Sequence, residues 1–125
     1  MSRTTLPPVD ADDFSVVPTQ GPDRLELRIV GTIDMTTMST FAAALEEAHD
    51  GAERLELREV CLDVRGMCFL NSESIKNVAK LVLRAQATGY MVRFLVDGGL
   101  PWQARAVEPL RRLRPGTVVI ESVLA

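Results

Sequence analysis

Apolar and polar positions alternate with two different periods along the chain, and these periods predict strands and helices in turn. Residues 25–30 alternate apolar and charged side chains, which is typical of a strand with one buried face. Residues 14–17 alternate more briefly and stop at Pro18, and residues 20–23 have the Gly-Pro composition of a turn. The sequence therefore predicts that the fold opens with a β-hairpin.

A first helix is predicted after this hairpin. Asp34 stands where a helix N-cap is expected, and Phe41, Leu45 and Ala48 recur at the spacing of one helical face. Gly51 follows the last of these residues and is predicted to end the helix.

Residues 60–64 are predicted to form the main buried strand, after a bend near residues 58–59 and before a short connection to a second helix. The bend is needed because Leu55 and Leu57 have the opposite parity to Val60 and Leu62, and one strand cannot bury both sets on one face. Residues 55–59 could instead form an edge strand that pairs with a second copy, so a homodimer stays open.

The second half of the chain continues the alternation. A helical pattern runs from Ser72 to about residue 87, with Ile75 and Val82 on one face, and Gly89 is predicted to end it. Residues 90–96 predict a buried strand, residues 102–113 a third helix interrupted by Pro109, and residues 117–121 a last strand. The predicted order is β-β-α-β-α-β-α-β.

This order predicts an α/β fold. Helices that alternate with strands imply right-handed crossovers and a largely parallel sheet, here of four to five mixed strands with a hairpin at its start. A chain of 125 residues is long enough for one hydrophobic core. We predict a single domain over residues 13–125 and a flexible leader over residues 1–12, which contain two adjacent prolines and acidic residues.

Composition and charge argue against several classes of function. The chain is 46% apolar and 25% charged, with a net charge of −3, which is typical of a globular protein and does not favour nucleic-acid binding. No apolar run approaches the roughly 20 residues that cross a bilayer, and the N-terminus has no secretory signal. We therefore predict a cytoplasmic protein without membrane insertion.

Residues suited to catalysis or metal binding are scarce. Cys61 and Cys68 lack the spacing of a disulfide or metal motif, and His49 is the only histidine. The chain has no Gly-rich phosphate-binding motif and no evident nucleophile and base pair. We predict no metal, no cofactor and no enzymatic activity, and we interpret the thiols as small packed side chains.

A cluster of small polar residues, 71–74, opens the second helix. Such residues cap helices by accepting hydrogen bonds from first-turn amides, a role open to Asn71 or Ser72. A helix N-terminus also accepts a phosphate, because its amides and dipole point at the anion. From the residues alone both interpretations remain open.

Residues 61–75 resemble, without a gap, the pattern Leu-Asp-x-x-x-x-x-Phe-Ile-Asp-Ser-Ser-Gly-Leu of STAS domains, the family that includes bacterial anti-sigma factor antagonists. Residues 27–34 resemble that family's early Leu-x-Gly-x-Ile-Asp segment. The resemblance extends from Leu27 to about Val119, and it implies a STAS-like fold.

The resemblance also implies a non-enzymatic regulator that works by partner switching. Ser72 matches the serine that a partner kinase phosphorylates. In the family, the unmodified antagonist binds a serine kinase that doubles as an anti-sigma factor, phosphorylation separates the two proteins, and a phosphatase restores the antagonist. The residues implied to meet the partner are Asp34, Asn71, Ser72, Glu73 and Ser74.

Substitutions in the motif keep other interpretations open. Asn71 replaces the family's aspartate, Glu73 its second serine and Ser74 its glycine. These differences are compatible with a constitutive STAS scaffold subunit of a signalling or transport complex that is not phosphorylated, and Ser74 is an alternative phosphate acceptor. A small enzyme or nucleotide-binding protein is a third hypothesis, which only the α/β pattern supports.

Overall fold

Six strands and three helices occupy the part of the chain that this computed structural model describes, residues 8–10 and 13–123. In chain order they are β1 (Val9–Asp10), β2 (Phe14–Gln20), β3 (Arg24–Ile33), α1 (Met38–Arg54), β4 (Glu59–Leu70), α2 (Ser72–Thr88), β5 (Met91–Asp97), α3 (Pro101–Leu113) and β6 (Val118–Val123).

The strands form one mixed sheet in the order β1-β2-β3-β4-β5-β6. β1, β2 and β3 pair antiparallel, and β3, β4, β5 and β6 pair parallel. The predicted mixed α/β sheet with an opening hairpin is confirmed, although it has six strands instead of four to five. The additional strand, β1, lies within the predicted leader; residues 1–7 and 11–12 lie outside the described residues, and the division into leader and domain stays a prediction.

The pairing register places apolar side chains of neighbouring strands on one face of the sheet. Leu27 is opposite Leu62, and Leu62 is opposite Phe94. All three are buried in one hydrophobic cluster together with apolar side chains from α1, α2 and α3. Removal of this apolar surface from water is the main term that holds the helices against this face.

The opposite face of the sheet carries a row of charges. Arg24 Nε lies 3.4 Å from Glu59 Oε2, Arg93 Nε lies 3.2 Å from the same oxygen, and Arg93 Nη1 lies 3.1 Å from Glu121 Oε1. These residues come from β3, β4, β5 and β6 respectively. The side chains of Arg24 and Glu121 are exposed and those of Glu59 and Arg93 are partly buried, and ion pairs at a surface of this kind each contribute about 1 kcal/mol or less.

β4 is longer than the predicted strand 60–64, because bulges carry it on to Leu70. Its pairing with β3 is regular up to Asp63, and then shifts twice, between Arg28 and Val30 and between Gly31 and Thr32 of β3. Each shift inserts one extra β4 residue opposite β3. The bend predicted near residues 58–59 is confirmed, because Arg58 forms a bend directly before β4 begins. Residues 65–70 are strand instead of the predicted short connection.

The segment before β4 is not an edge strand. Residues 55–58 lie outside the strands, and Glu59 begins a central strand that has β3 on one side and β5 on the other. Leu57 N donates to Ala52 O at 2.9 Å, which folds the segment back onto the end of α1. The predicted route to a homodimer through residues 55–59 is therefore wrong, because both edges of this strand are already paired.

α1 does not end at Gly51 as predicted. It continues to Arg54, and Leu55 N donates to Gly51 O at 3.0 Å. Ala52 lies one turn after Ala48 and is buried with it, so the apolar face extends beyond the glycine. The helix ends before Glu56, which takes a left-handed conformation with φ of 52°.

Two prolines lie inside elements that they are predicted to interrupt. β2 continues through Pro18, and α3 continues through Pro109. Among the described residues β1 reaches only Val16, so Pro18 lies on a sheet edge, where proline is tolerated. In α3 the burial of Val107 and Leu110 on either side of Pro109 favours the helix despite the missing amide.

Candidate functional site

Asn71 joins the end of β4 to the start of α2. Its backbone is extended, with φ of −75° and ψ of 164°, and its side-chain oxygen accepts a hydrogen bond from Ser74 N at 3.0 Å. Asn71 N donates to Ile33 O at 3.0 Å, so the capping residue is also tied to the end of β3. The prediction that the polar cluster caps α2 is confirmed, with Asn71 as the cap.

Asp34 forms a turn instead of the predicted N-cap. Its carboxylate accepts hydrogen bonds from Thr36 N at 2.9 Å and Thr36 Oγ1 at 2.6 Å, and its backbone oxygen accepts from Met38 N at 2.9 Å. The N-cap position belongs to Thr37, whose hydroxyl makes no capping bond and donates to Thr32 O at 3.1 Å. The N-cap prediction for Asp34 is wrong, because Asp34 precedes the helix by a four-residue turn.

The hydrogen bonds at Asp34 also fix its charge. Donation from the Thr36 hydroxyl and amide, with smaller contributions from Thr37, lowers the pKa of the Asp34 carboxyl below its usual value. The carboxyl is therefore ionised at neutral pH and places a negative charge beside the loop that leads into α1.

The predicted site residues converge at one edge of the sheet. Ile33 and Leu70 pair at the carboxyl ends of β3 and β4, so the turn after β3 and the start of α2 lie side by side. Asn71 Nδ2 lies 3.5 Å from Met38 Sδ, which links the two segments through side chains. We call residues 34–38 and 69–74 the Ser72 edge.

The two serines of this edge differ in accessibility. Ser72 is exposed at the first position of α2, whereas Ser74 is 0% exposed and its hydroxyl lacks a hydrogen-bond partner. Between them Glu73 is exposed, and its Oε1 lies 3.1 Å from Lys76 Nζ. A reagent in solution therefore meets the hydroxyl of Ser72 and not that of Ser74.

Two apolar residues of the Ser72 edge are missed by the sequence reasoning. Met35 is 83% exposed and Phe69 is 51% exposed. Met35 lies in the turn after Asp34, and an apolar residue in a polar turn is the signal that could have found it. Phe69 is opposite Thr32 and lies on the face of β4 away from the core, because the next pair, Ile33 with Leu70, faces the core.

Cys61 and His49 lie away from this edge, whereas Cys68 is exposed next to Phe69, so the prediction of a packed thiol is wrong for Cys68. Burial raises the pKa of the Cys61 thiol to about 11, so it stays protonated at neutral pH. His49 is buried, and its Nδ1 is 2.8 Å from Tyr90 Oη. Within residues 8–10 and 13–123, no three His, Cys, Asp or Glu side chains are grouped to hold a metal ion. None of the helices in this part of the chain has both the length and the apolar content to cross a membrane.

Comparison of the sequence with models of known families and with curated proteins gives no match. Solved structures do match. An anti-sigma factor antagonist from Mycobacterium paratuberculosis is similar at a TM-score of 0.66 and 17% identity, over 89% of this chain and 90% of that chain.

Two further matches are forms of SpoIIAA. The anti-sigma factor antagonist SpoIIAA in its unphosphorylated form has a TM-score of 0.63 at 11% identity, over 85% of this chain and 87% of that chain. The Bacillus cell fate determinant SpoIIAA in its phosphorylated form has a TM-score of 0.61 at 12% identity, over 85% of this chain and 90% of that chain. The chain therefore has the SpoIIAA-like STAS fold, as the sequence predicts.

Proposed function

We propose that this chain is a non-enzymatic, cytoplasmic bacterial regulator that binds a protein partner through the Ser72 edge, and that phosphorylation of Ser72 ends the binding. The observation that carries the proposal is the exposed Ser72 hydroxyl at the start of a capped helix, in the position of the family's phosphorylated serine. The matched structures support it, since they are anti-sigma factor antagonists and one is a phosphorylated form.

Ser72 is the better phosphate acceptor of the two serines. A kinase has to bring the hydroxyl to the γ-phosphate of its nucleotide, and the exposed Ser72 allows this without unfolding. Ser74 is 0% exposed, so its modification would require the first turn of α2 to open. We therefore assign the switch to Ser72.

The phosphate weakens partner binding and leaves the fold of the free protein intact. A phosphoserine adds a charge of about −1.5 to −2 at neutral pH. The amides and dipole at the start of α2 tolerate that charge within the free protein. A partner surface shaped around a hydroxyl has to desolvate the phosphate. A binding free-energy penalty of about 3 kcal/mol weakens the complex about a hundredfold.

The partner we propose is a serine kinase that also acts as an anti-sigma factor, with a phosphatase that restores the unmodified protein. Met35 and Phe69 give the Ser72 edge exposed apolar area, and Asp34 gives it a fixed negative charge. Aromatic and methionine side chains are enriched at protein interfaces, which favours these two residues as the apolar contacts.

The test is to recover the tagged full-length protein from its own host and to analyse its partners and the Ser72 peptide by mass spectrometry. We expect a serine kinase among the partners and phosphate on a fraction of Ser72. With that partner purified, Ser72→Asp should weaken binding about a hundredfold. Thr88→Asp adds the same charge at the exposed far end of α2 and should leave binding unchanged.

A constitutive scaffold subunit is the second candidate. The observation that favours it is Glu73, which already places a carboxylate in the first turn of α2 next to Ser72 and would repel a phosphate there. A stable complex with other signalling or transport subunits, an unmodified Ser72 and unchanged binding by Ser72→Asp would establish the scaffold and refute the switch.

A further inference from the structure

The ladder between β4 and β5 stops before either strand ends. Its last pair is Asp63 with Leu95, yet β4 runs on to Leu70 and β5 to Asp97. We call residues 65–70 the bulged segment of β4. On its β5 side this segment lacks the strand partner that its backbone groups would normally have.

A side chain of α3 occupies this gap. Gln103 is 1% exposed, and its Nε2 donates to Arg65 O at 3.3 Å and to Met67 O at 3.1 Å. Its Oε1 accepts a hydrogen bond from Asp97 N at 2.8 Å. One buried amide therefore replaces the missing backbone bonds between β4 and β5.

We propose that Gln103 is a positioning residue that holds the bulged segment and, through it, the Ser72 edge. The segment ends at Leu70, and the next residue, Asn71, caps α2 and bonds to Ile33 O. Anchoring of the Arg65 and Met67 carbonyls thus fixes the path of the chain just before Ser72. The importance of this anchoring for partner binding rests on the proposed function, whereas the structural role of Gln103 does not.

The chemistry of the gap requires an amide. It offers two carbonyl oxygens, which need donors, and one N–H, which needs an acceptor. Glutamine supplies both on one terminal group, whereas a carboxylate only accepts and an apolar chain does neither. Gln103→Met keeps the length and bulk of the side chain and removes the hydrogen bonds, so it separates bonding from packing.

Amide hydrogen exchange followed by NMR tests this role without a kinase or a partner. In Gln103→Met we expect the amides of Asp97 and of residues 66–72 to exchange at least tenfold faster, with a much smaller change at Val60 and Leu62 in the first half of β4. The control is Val107→Ala, which removes buried volume from the same helix. It should speed exchange throughout the core without singling out residues 66–72.

A second measurement on the unmodified protein keeps the proposal testable if the methionine variant does not fold. The side-chain amide protons of Gln103 should exchange at least tenfold more slowly than those of Gln86, which is exposed. Uniform acceleration in Gln103→Met, or equal side-chain exchange at Gln103 and Gln86, would overturn the positioning role. Either result would leave the Ser72 experiment unaffected, so the two proposals fail separately.

Discussion

Asn71 connects two neighbouring strands and a helix through one residue. Its side-chain oxygen accepts a hydrogen bond from Ser74 N, and its backbone N–H donates to Ile33 O. We expect Asn71→Ala to lower the free energy of unfolding by about 1 kcal/mol, because the first turn of α2 loses its cap. Asn71→Asp keeps an acceptor at the same place and should be within about 0.5 kcal/mol of the wild type.

Urea unfolding of the three proteins measures this difference. Equal loss of stability in the alanine and aspartate variants would contradict the capping role. The same aspartate variant places at position 71 the residue that the STAS pattern has before the serine, so it also tests whether that carboxylate affects the proposed phosphorylation of Ser72.

Asp63 is a buried carboxylate whose ionisation is coupled to stability. Burial favours its neutral form, but the hydrogen bonds from Arg65 outweigh this effect, and the charges of Arg65 and Arg28 add to them, so the pKa of Asp63 is below its usual value. Arg65 Nε donates to Oδ1 at 2.9 Å and Nη2 to Oδ2 at 2.8 Å. A depressed pKa in the folded state stabilises the fold above the unfolded pKa, and this contribution is lost as pH falls through the folded pKa.

We therefore expect Asp63→Asn to be less stable than the wild type by about 1–2 kcal/mol at pH 7. The difference should shrink as the pH falls from about 4 towards 2, because the wild type then protonates Asp63 and loses the same interaction. Urea unfolding at pH 7 and at pH 3 measures both values. A difference that is constant across this range would show that folding does not lower the pKa of Asp63.

The residues of the site were predictable where the signal is local. A small polar residue directly before an apolar helical pattern predicts a cap, and Asn71 is that cap. Asp34 has the same appearance but bonds within a turn, because three more residues separate it from α1. The burial of Ser74 and the exposure of Phe69 depend on tertiary contacts, which no short pattern records.

At the scale of elements, the helices and the parallel strands were predictable because their periods persist over several turns or alternations. α2 begins at Ser72 and ends before Gly89, which has φ of 106°, as the sequence predicts. The second half of β4 was not predictable, because its pairing is irregular and a side chain of α3 completes its hydrogen bonds.

Gly31 shows how closely β2 and β3 approach. It has φ of +108°, and a Cβ there would overlap the carbonyl oxygen of Asp13 and lie 2.9 Å from Phe14 Cα. We expect Gly31→Ala to cost about 3 kcal/mol or more, because the strained backbone and the overlap add together. Thermal or urea unfolding measures this loss.

Gly51 provides the control with the opposite sign. It lies inside α1, and a Cβ there would have no heavy atom within 4 Å. Gly51→Ala should raise the free energy of unfolding by about 0.5–1 kcal/mol, because alanine loses less backbone entropy in a helix. Similar effects of the two substitutions would contradict the argument that the close approach, and not the loss of glycine itself, sets the cost at Gly31.

At the scale of the whole molecule, the helices and the row of charges lie on opposite faces of the sheet, and the Ser72 edge lies at the carboxyl ends of β3 and β4. A side chain that is modified at this edge therefore contacts solvent or a partner and not the core. This arrangement suits a switch that alters binding and leaves the fold intact.

Acidic substitutions at Ser72 and at Ser74, two residues apart, test whether the exposed edge is separate from the core. Ser72→Asp places a carboxylate at the exposed start of α2, where the dipole favours it, so its free energy of unfolding should stay within about 1 kcal/mol of the wild type. Ser74→Asp buries a charge at a position that is 0% exposed and should cost about 3 kcal/mol or more. Urea unfolding measures both. If Ser72→Asp also cost about 3 kcal/mol or more, Ser72 would be part of the folding core, and the proposed phosphate would act by unfolding the protein instead of by releasing a partner.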